Sequence, residues 1–166
     1  MGTEIIGRIV GVSKSIEYST PIAIVQPLIK EFDLQIDVCA SDKNHKLPNY
    51  FTINDNALNK DWHGNCWMNP PFDRNLGKWV KKAYSESKQH GGTKVCLFPV
   101  RSNTSWWNEV CSDAEIRFIN GEVNFNDEPR GLWWPMCIMI FGEKANVRTF
   151  STINYRKTRA ALKEGE

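Results

Sequence analysis

At 166 residues, with 41% hydrophobic and 24% charged residues, the chain reads as one globular domain over residues 1–166, large enough for a proper core. A net charge of +2 permits contact with nucleic acid without dictating it, and no apolar run approaches the roughly 20 residues that span a bilayer. Five scattered cysteines with no Cys-x-x-Cys pair argue against a zinc site and, being odd in number, against a disulfide framework; no signal pattern opens the chain, so a cytoplasmic location is expected.

Residues 1–17, with Ile5, Ile6, Ile9, Val10 and Val12, are expected to form a strand or packing arm. Ser19-Thr20-Pro21 is a helix start, with proline in the first turn. The helix is expected to turn Ile22, Val25, Leu28 and Ile29 inward, with Pro27 kinking or shortening it. A strand is predicted over 32–40, then a polar, turn-rich stretch over 41–61 and a second strand at 65–68. Leu76, Trp79, Val80, Ala83 and Tyr84 form an apolar stripe at helical spacing, which predicts a helix over 75–90 ended by Gly91-Gly92. A buried strand follows at 94–100 and a short helix around 104–111. Residues 115–119 form a strand leading into Asn120-Gly121, a strong hairpin signal that predicts a return strand at 123–125. After a loop at 126–134, residues 136–141 are an unbroken apolar strand. The basic residues Arg148, Arg156, Lys157, Arg159 and Lys163 mark 142–166 as a basic C-terminal tail. Such an order predicts an α/β sheet protein whose last strands run antiparallel.

The strand at 65–68 stops in Asn69-Pro70-Pro71-Phe72. Proline fixes φ, lacks an N–H and pushes the preceding residue towards extended conformations, so this elbow is stiff. The Asn69 side-chain oxygen and the carbonyl after it can accept two hydrogen bonds from an –NH2 group. Phe72 can lie against the ring that carries the amine, and base–aromatic stacking contributes roughly 1–3 kcal/mol. The plainer reading of the same four residues is a strand followed by a polyproline turn.

In this order the motifs resemble class I S-adenosylmethionine-dependent methyltransferases that modify amino groups of bases. More narrowly, they resemble the phage and prophage DNA N6-adenine methyltransferase (Dam-like) family. The resemblance runs from about residue 18 to residue 141. Tyr18-Ser19-Thr20-Pro21 is similar to the motif that opens the cofactor pocket, and the stretch from Phe32 to Ala40 to the first sheet strand. Asn54 to Leu58, with Asp61-Trp62, resembles the segment before the catalytic strand, Asn69-Pro70-Pro71-Phe72 the catalytic motif, and Phe98 to Arg101 with Trp106-Trp107 the next strand and loop. It implies an abbreviated Rossmann-like methyltransferase fold, mostly parallel with antiparallel C-terminal strands. It also implies methyl transfer from S-adenosylmethionine to the N6 amine of adenine in double-stranded DNA, with the base flipped out of the stack.

On this resemblance Asn69, Pro70, Pro71 and Phe72 are the catalytic residues. Tyr18, Thr20, Asp37, Ala40 and Asp55 bind the cofactor: Thr20 at its carboxylate end, Asp37 at its amino or ribose groups, Asp55 at its adenine amine. Arg101, Arg130 and Trp133 are the candidates for DNA contact, and neither a metal nor a membrane is called for. Plainer readings exist for Thr20 as a helix cap, Asp37 as a strand-end cap, Asp55 as an Asx-turn and His63 as a surface turn residue. Arg101 can equally sit in a surface salt bridge and Arg130 in a solvated loop.

The chain departs from the family pattern in three places. Ala40-Ser41-Asp42 stands where a glycine-rich turn usually follows the first strand. Only 32 positions separate Asp37 from Asn69, so the intervening part is abbreviated. Glu122 follows Asn120-Gly121 where a basic residue is expected. Cytosine N4 or RNA as acceptor, and an inert DNA-binding protein retaining the fold, remain alternatives at this stage. Neither the target sequence nor the oligomeric state is legible.

Overall fold

A computed structural model describes residues 18–128 and 131–164; the expected N-terminal arm over 1–17 and Arg130 lie outside the described residues. In chain order the elements are α1 (Ile22–Phe32), β1 (Ile36–Asp37), β2 (Asn49–Tyr50), β3 (Cys66–Met68), α2 (Leu76–Gln89), β4 (Thr93–Pro99), α3 (Ser105–Val110), β5 (Glu115–Asn120), β6 (Met136–Gly142), β7 (Phe150–Asn154) and α4 (Tyr155–Glu164). Short 3₁₀ turns occupy Ile53–Asp55 and Ala57–Asn59 between β2 and β3.

The strands form one seven-stranded sheet in the order β2-β1-β3-β4-β6-β5-β7. The expected mostly parallel sheet is present, with the antiparallel pairings confined to β6 and its neighbours β4 and β5. Side chains alternate across a strand, and β4 and β6 are apolar on both faces. Val95, Leu97, Ile138 and Ile140 face one core, completed by Ile24, Val25, Leu28 and Phe32 of α1 and by Tyr155 of α4. Cys96, Phe98, Cys137, Met139 and Phe141 face the other, completed by Leu76, Val80 and Ala83 of α2 and by Trp107 and Val110 of α3. The architecture is a doubly wound α/β sandwich. Among the described residues no helix is long and apolar enough to cross a membrane.

Five expectations are corrected. Val25 and Leu28 are buried as expected and Ile29 packs half-buried on the core, but Ile22, the first helical residue after the Pro21 cap, is 56% exposed, and Ala23, Ile24 and Phe32 complete the buried face instead. Pro27 lies on the solvent face and α1 passes through it. The strand predicted over 32–40 is short. Phe32 is the last residue of α1, Asp33 takes a left-handed conformation at its C-cap, and only Ile36–Asp37 is strand proper. The hairpin at Asn120-Gly121 does not form. Both edges of β5 are taken, by β6 and by β7, and Val123 bridges Leu132 instead. The stretch expected as a basic tail carries β7 and α4, with β7 parallel to β5.

At the amino end of β3 and β4 the buried polar groups are closed on one another. Lys94 is fully buried, and its ammonium donates to the carbonyls of Gly64 and Gly91 at 2.7 and 2.8 Å. Asn65 donates to the carbonyls of Phe32 and Asp33 and accepts the Thr93 N–H, tying the end of α1 to the sheet. Glu86 of α2 accepts the Trp62 N–H at 2.6 Å and pairs with Lys82 at 2.5 Å. A cluster of Asp61, Glu86 and His90 forms here, with His90 Nε2 3.5 Å from Asp61 and 3.7 Å from Glu86.

Candidate active site

Parallel strands of an open α/β sheet deliver ligands to their carboxyl ends. There β1 ends in Asp37, paired in register with Trp67 of β3, and Asn69 follows β3 directly. A cleft of about 170 Å³, partly open to solvent, is lined by Tyr18, Ser19, Thr20, Asp37, Cys39, Asn44, Lys46, Trp67 and Asn69. Tyr18, Thr20, Asp37 and Asn69 are thus brought together from three separate parts of the chain.

The Asn69 amide is held by its nitrogen. Nδ2 donates to the Tyr18 carbonyl at 2.6 Å and to the Thr20 hydroxyl at 3.0 Å. A backbone carbonyl only accepts, so the amide group facing it must be the NH2, which fixes which way the side chain points. Oδ1 is left buried and without a partner among the described residues. A buried acceptor with no donor costs about 1–3 kcal/mol, so the fold retains an unsatisfied oxygen beside an open cleft. Pro70 is buried behind it, Pro71 is exposed and Phe72 is half-buried.

Phe72 is not a bare platform. The Tyr18 ring stacks on it, with centroids 5.3 Å apart and planes 16° from parallel, and Phe125 meets it edge-on at 5.7 Å. The Tyr18 segment is clamped from the other side: Ser19 N–H donates to Asn126 Oδ1 at 2.7 Å and Asn126 N–H donates to the Ser19 carbonyl at 3.0 Å. Asn126 makes both bonds from a left-handed backbone, φ 56°, a conformation that asparagine tolerates.

Asp37 is almost fully buried, accepting the Cys39 N–H at 3.2 Å on one oxygen and the Lys46 N–H at 3.0 Å on the other. Burial pushes its pKa up to about 6, against the opposing pull of those two N–H groups and of the Lys46 and His45 charges. The loop over 40–46 thus folds back onto Asp37 where a glycine-rich turn was missing from the sequence. Lys46 returns into the cleft, its ammonium donating to the Ser19 hydroxyl at 2.8 Å. Cys39, Asn44, Lys46 and Trp67 were not among the site residues expected from the sequence, and Ser19 entered only as part of the Tyr18-to-Pro21 motif. The one available signal was the missing glycine turn, whose place some other loop had to fill.

The remaining candidates lie apart from the cleft. Ala40 is engaged through its backbone, donating to the Phe51 carbonyl at 2.9 Å, and does not line the cleft. Asp55 accepts the Thr52 N–H and hydroxyl at 2.8 and 2.9 Å, and these bonds hold its carboxyl below the usual range. It caps its own 3₁₀ turn. Arg101 lays its guanidinium over the Trp134 ring at 5.6 Å and donates to the Val100 carbonyl. Trp133, beside that stack, is 78% exposed.

The model of the DNA N-6-adenine-methyltransferase (Dam) family matches residues 12–161. The DNA N-6-adenine-methyltransferase of Haemophilus phage HP1 (strain HP1c1) is 34% identical over 125 residues, 69% of each chain. The chain belongs to the Dam family. Its class is therefore adenine-specific DNA methyltransferase, which decides between the acceptors left open by the motif alone. The carboxyl ends of β1 and β3 thus carry a cleft lined by Asp37 and Lys46 beside an amide whose oxygen is buried without a partner.

Proposed function

We propose that this protein transfers a methyl group from S-adenosylmethionine to the N6 amine of an adenine flipped out of double-stranded DNA, at the Asn69-Pro70-Pro71-Phe72 elbow. The observation that carries the reading is the Asn69 amide, pinned by its nitrogen with its oxygen buried and unpartnered. The cleft fits the methyl donor in charge, since a buried carboxylate faces space that a cationic ligand would enter. An enzyme acting on DNA in this way belongs in the cytoplasm.

The N6 amine is a weak nucleophile because its lone pair is delocalised into the purine ring. Asn69 Oδ1 and the Pro70 carbonyl accept its two hydrogens, which localises the lone pair and aims it into the cleft. When bound, S-adenosylmethionine supplies an electrophilic methyl group on a sulfonium. As the N–C bond formed, the sulfur–methyl bond would break with its electron pair passing to sulfur, leaving S-adenosylhomocysteine; the amine nitrogen would become positive, and the two oxygens would stabilise its hydrogens until one passed to water. Such positioning lowers a barrier by roughly 7–11 kcal/mol where geometry is near ideal. Phe72 stacks the extruded base on the face that Tyr18 now covers, so the Tyr18 ring turns aside while its carbonyl keeps hold of Asn69. Extrusion costs a few kcal/mol, offset in part by that stacking. Arg101, Arg130 and Trp133 are the residues that supply the DNA contacts.

Incubation with unmethylated DNA and labelled donor, followed by nucleoside mass spectrometry, should yield N6-methyladenine. Asn69→Ala should lower the rate about a hundred- to a thousandfold, the usual cost of one such electrostatic contact, while donor binding by calorimetry persists. Full activity in Asn69→Ala, or N4-methylcytosine as product, would overturn the reading.

A further inference from the structure

Thr20, which the family resemblance put at the carboxylate end of the donor, has its hydroxyl on the Asn69 amide. That hydroxyl accepts the Asn69 N–H and keeps its own O–H to donate, but it carries no charge to offset a carboxylate. The cleft carries two formal charges of opposite sign, the buried Asp37 carboxylate and the Lys46 ammonium, the latter seated on Ser19 Oγ at the mouth. Both belong to one loop, since the Lys46 N–H is bonded to Asp37 Oδ2. A cleft lined by both a cation and an anion is complementary in charge to a zwitterion, an α-amino acid group, rather than to an uncharged purine or ribose. Trp67, at the floor, offers an apolar surface to the methylene chain between that group and the sulfur.

We infer that Lys46 binds the α-carboxylate of the methyl donor while Asp37 receives its α-ammonium, so that the 37–46 loop reads the amino-acid end of the ligand. The inference rests on the donor being S-adenosylmethionine. It makes Lys46 a cofactor-binding residue and Thr20 a positioning residue for Asn69.

The test is calorimetry with two ligands that share the adenosine and sulfur but differ in the amino-acid end: S-adenosylhomocysteine, which has it, and 5′-methylthioadenosine, which lacks it. Lys46→Met should weaken the first about ten- to a hundredfold, the usual worth of one charge-assisted hydrogen bond, and leave the second unchanged. Lys46→Arg should recover part of the loss. The Lys46 N–H to Asp37 is a backbone bond and survives both substitutions, and unchanged 5′-methylthioadenosine binding reports that the cleft is intact. Equal losses for both ligands, no loss for either, or a loss confined to DNA affinity would overturn the assignment. Wild-type protein that binds neither ligand would overturn the donor reading itself, and this assignment with it.

Discussion

The two ends of β3 and β4 treat buried polar groups in opposite ways. At the amino end every strong group has been matched: the Lys94 ammonium to two carbonyls, Asn65 to three backbone groups, Glu86 to Trp62 and Lys82. At the carboxyl end Asn69 Oδ1 is left unmatched, and Asp37 faces a cleft. The carboxylates make the contrast plain. Burial would raise Glu86, yet Lys82 and the Trp62 N–H together hold it below its usual pKa, whereas at Asp37 burial wins and the pKa climbs to about 6. A polar group with all partners present holds the fold, and one short of a partner is where a ligand could still be bound.

That division can be broken from either side. The largest effect should come at the closed end. Lys94→Met keeps the buried stem but strips the donor from the Gly64 and Gly91 carbonyls, and should cost about 2–4 kcal/mol in denaturant unfolding. Activity per folded molecule should be unchanged. A specific loss of turnover in the folded protein would show that the two ends are not independent. Next in size, Thr20→Val removes one of the two partners of the Asn69 nitrogen at nearly constant volume. Turnover should fall about tenfold with donor affinity intact, and Thr20→Ser should restore it, because the loss is one neutral hydrogen bond.

The smallest effect is in pH. Asp37 is raised from 3.8 to about 6, so between those values the native protein holds a proton that the unfolded chain has released. Its contribution to stability is therefore best below pH 4 and declines as pH rises through 6. Donor binding must run the other way, since only the ionised carboxylate attracts an ammonium. Calorimetry should show affinity for S-adenosylhomocysteine weakening by up to about tenfold per pH unit below pH 6, the limit for a single protonation. Affinity for 5′-methylthioadenosine should stay flat, and a matching decline for that ligand would trace the effect to a group other than Asp37.

Elements with a long apolar period were legible before any coordinates. The α2 stripe, β4 and β6 stand within a residue or two of where periodicity puts them, and the elbow at Asn69 was recognisable from four residues. What escaped was non-local. Strands of two residues, such as β1 and β2, carry no period to read. Asn120-Gly121 is a sound local hairpin signal, overruled because β7 arrives from 30 residues downstream to occupy the edge that the hairpin needed. Lys46 looked like one more residue of a polar loop, because its role depends on a backbone bond to Asp37, nine positions back. The Tyr18 ring on Phe72 joins positions 54 apart, and the charge-neutral pairing leaves no trace in composition.

The tether between Tyr18, Thr20 and Asn69 has one more implication. No strand or helix includes the first two residues, yet they alone tell the third which way round to sit. A polypeptide trimmed to begin at Ile22 would keep the whole sheet and lose the means of telling front from back at its reactive corner. Its Asn69 amide would be free to turn either its oxygen or its nitrogen outward.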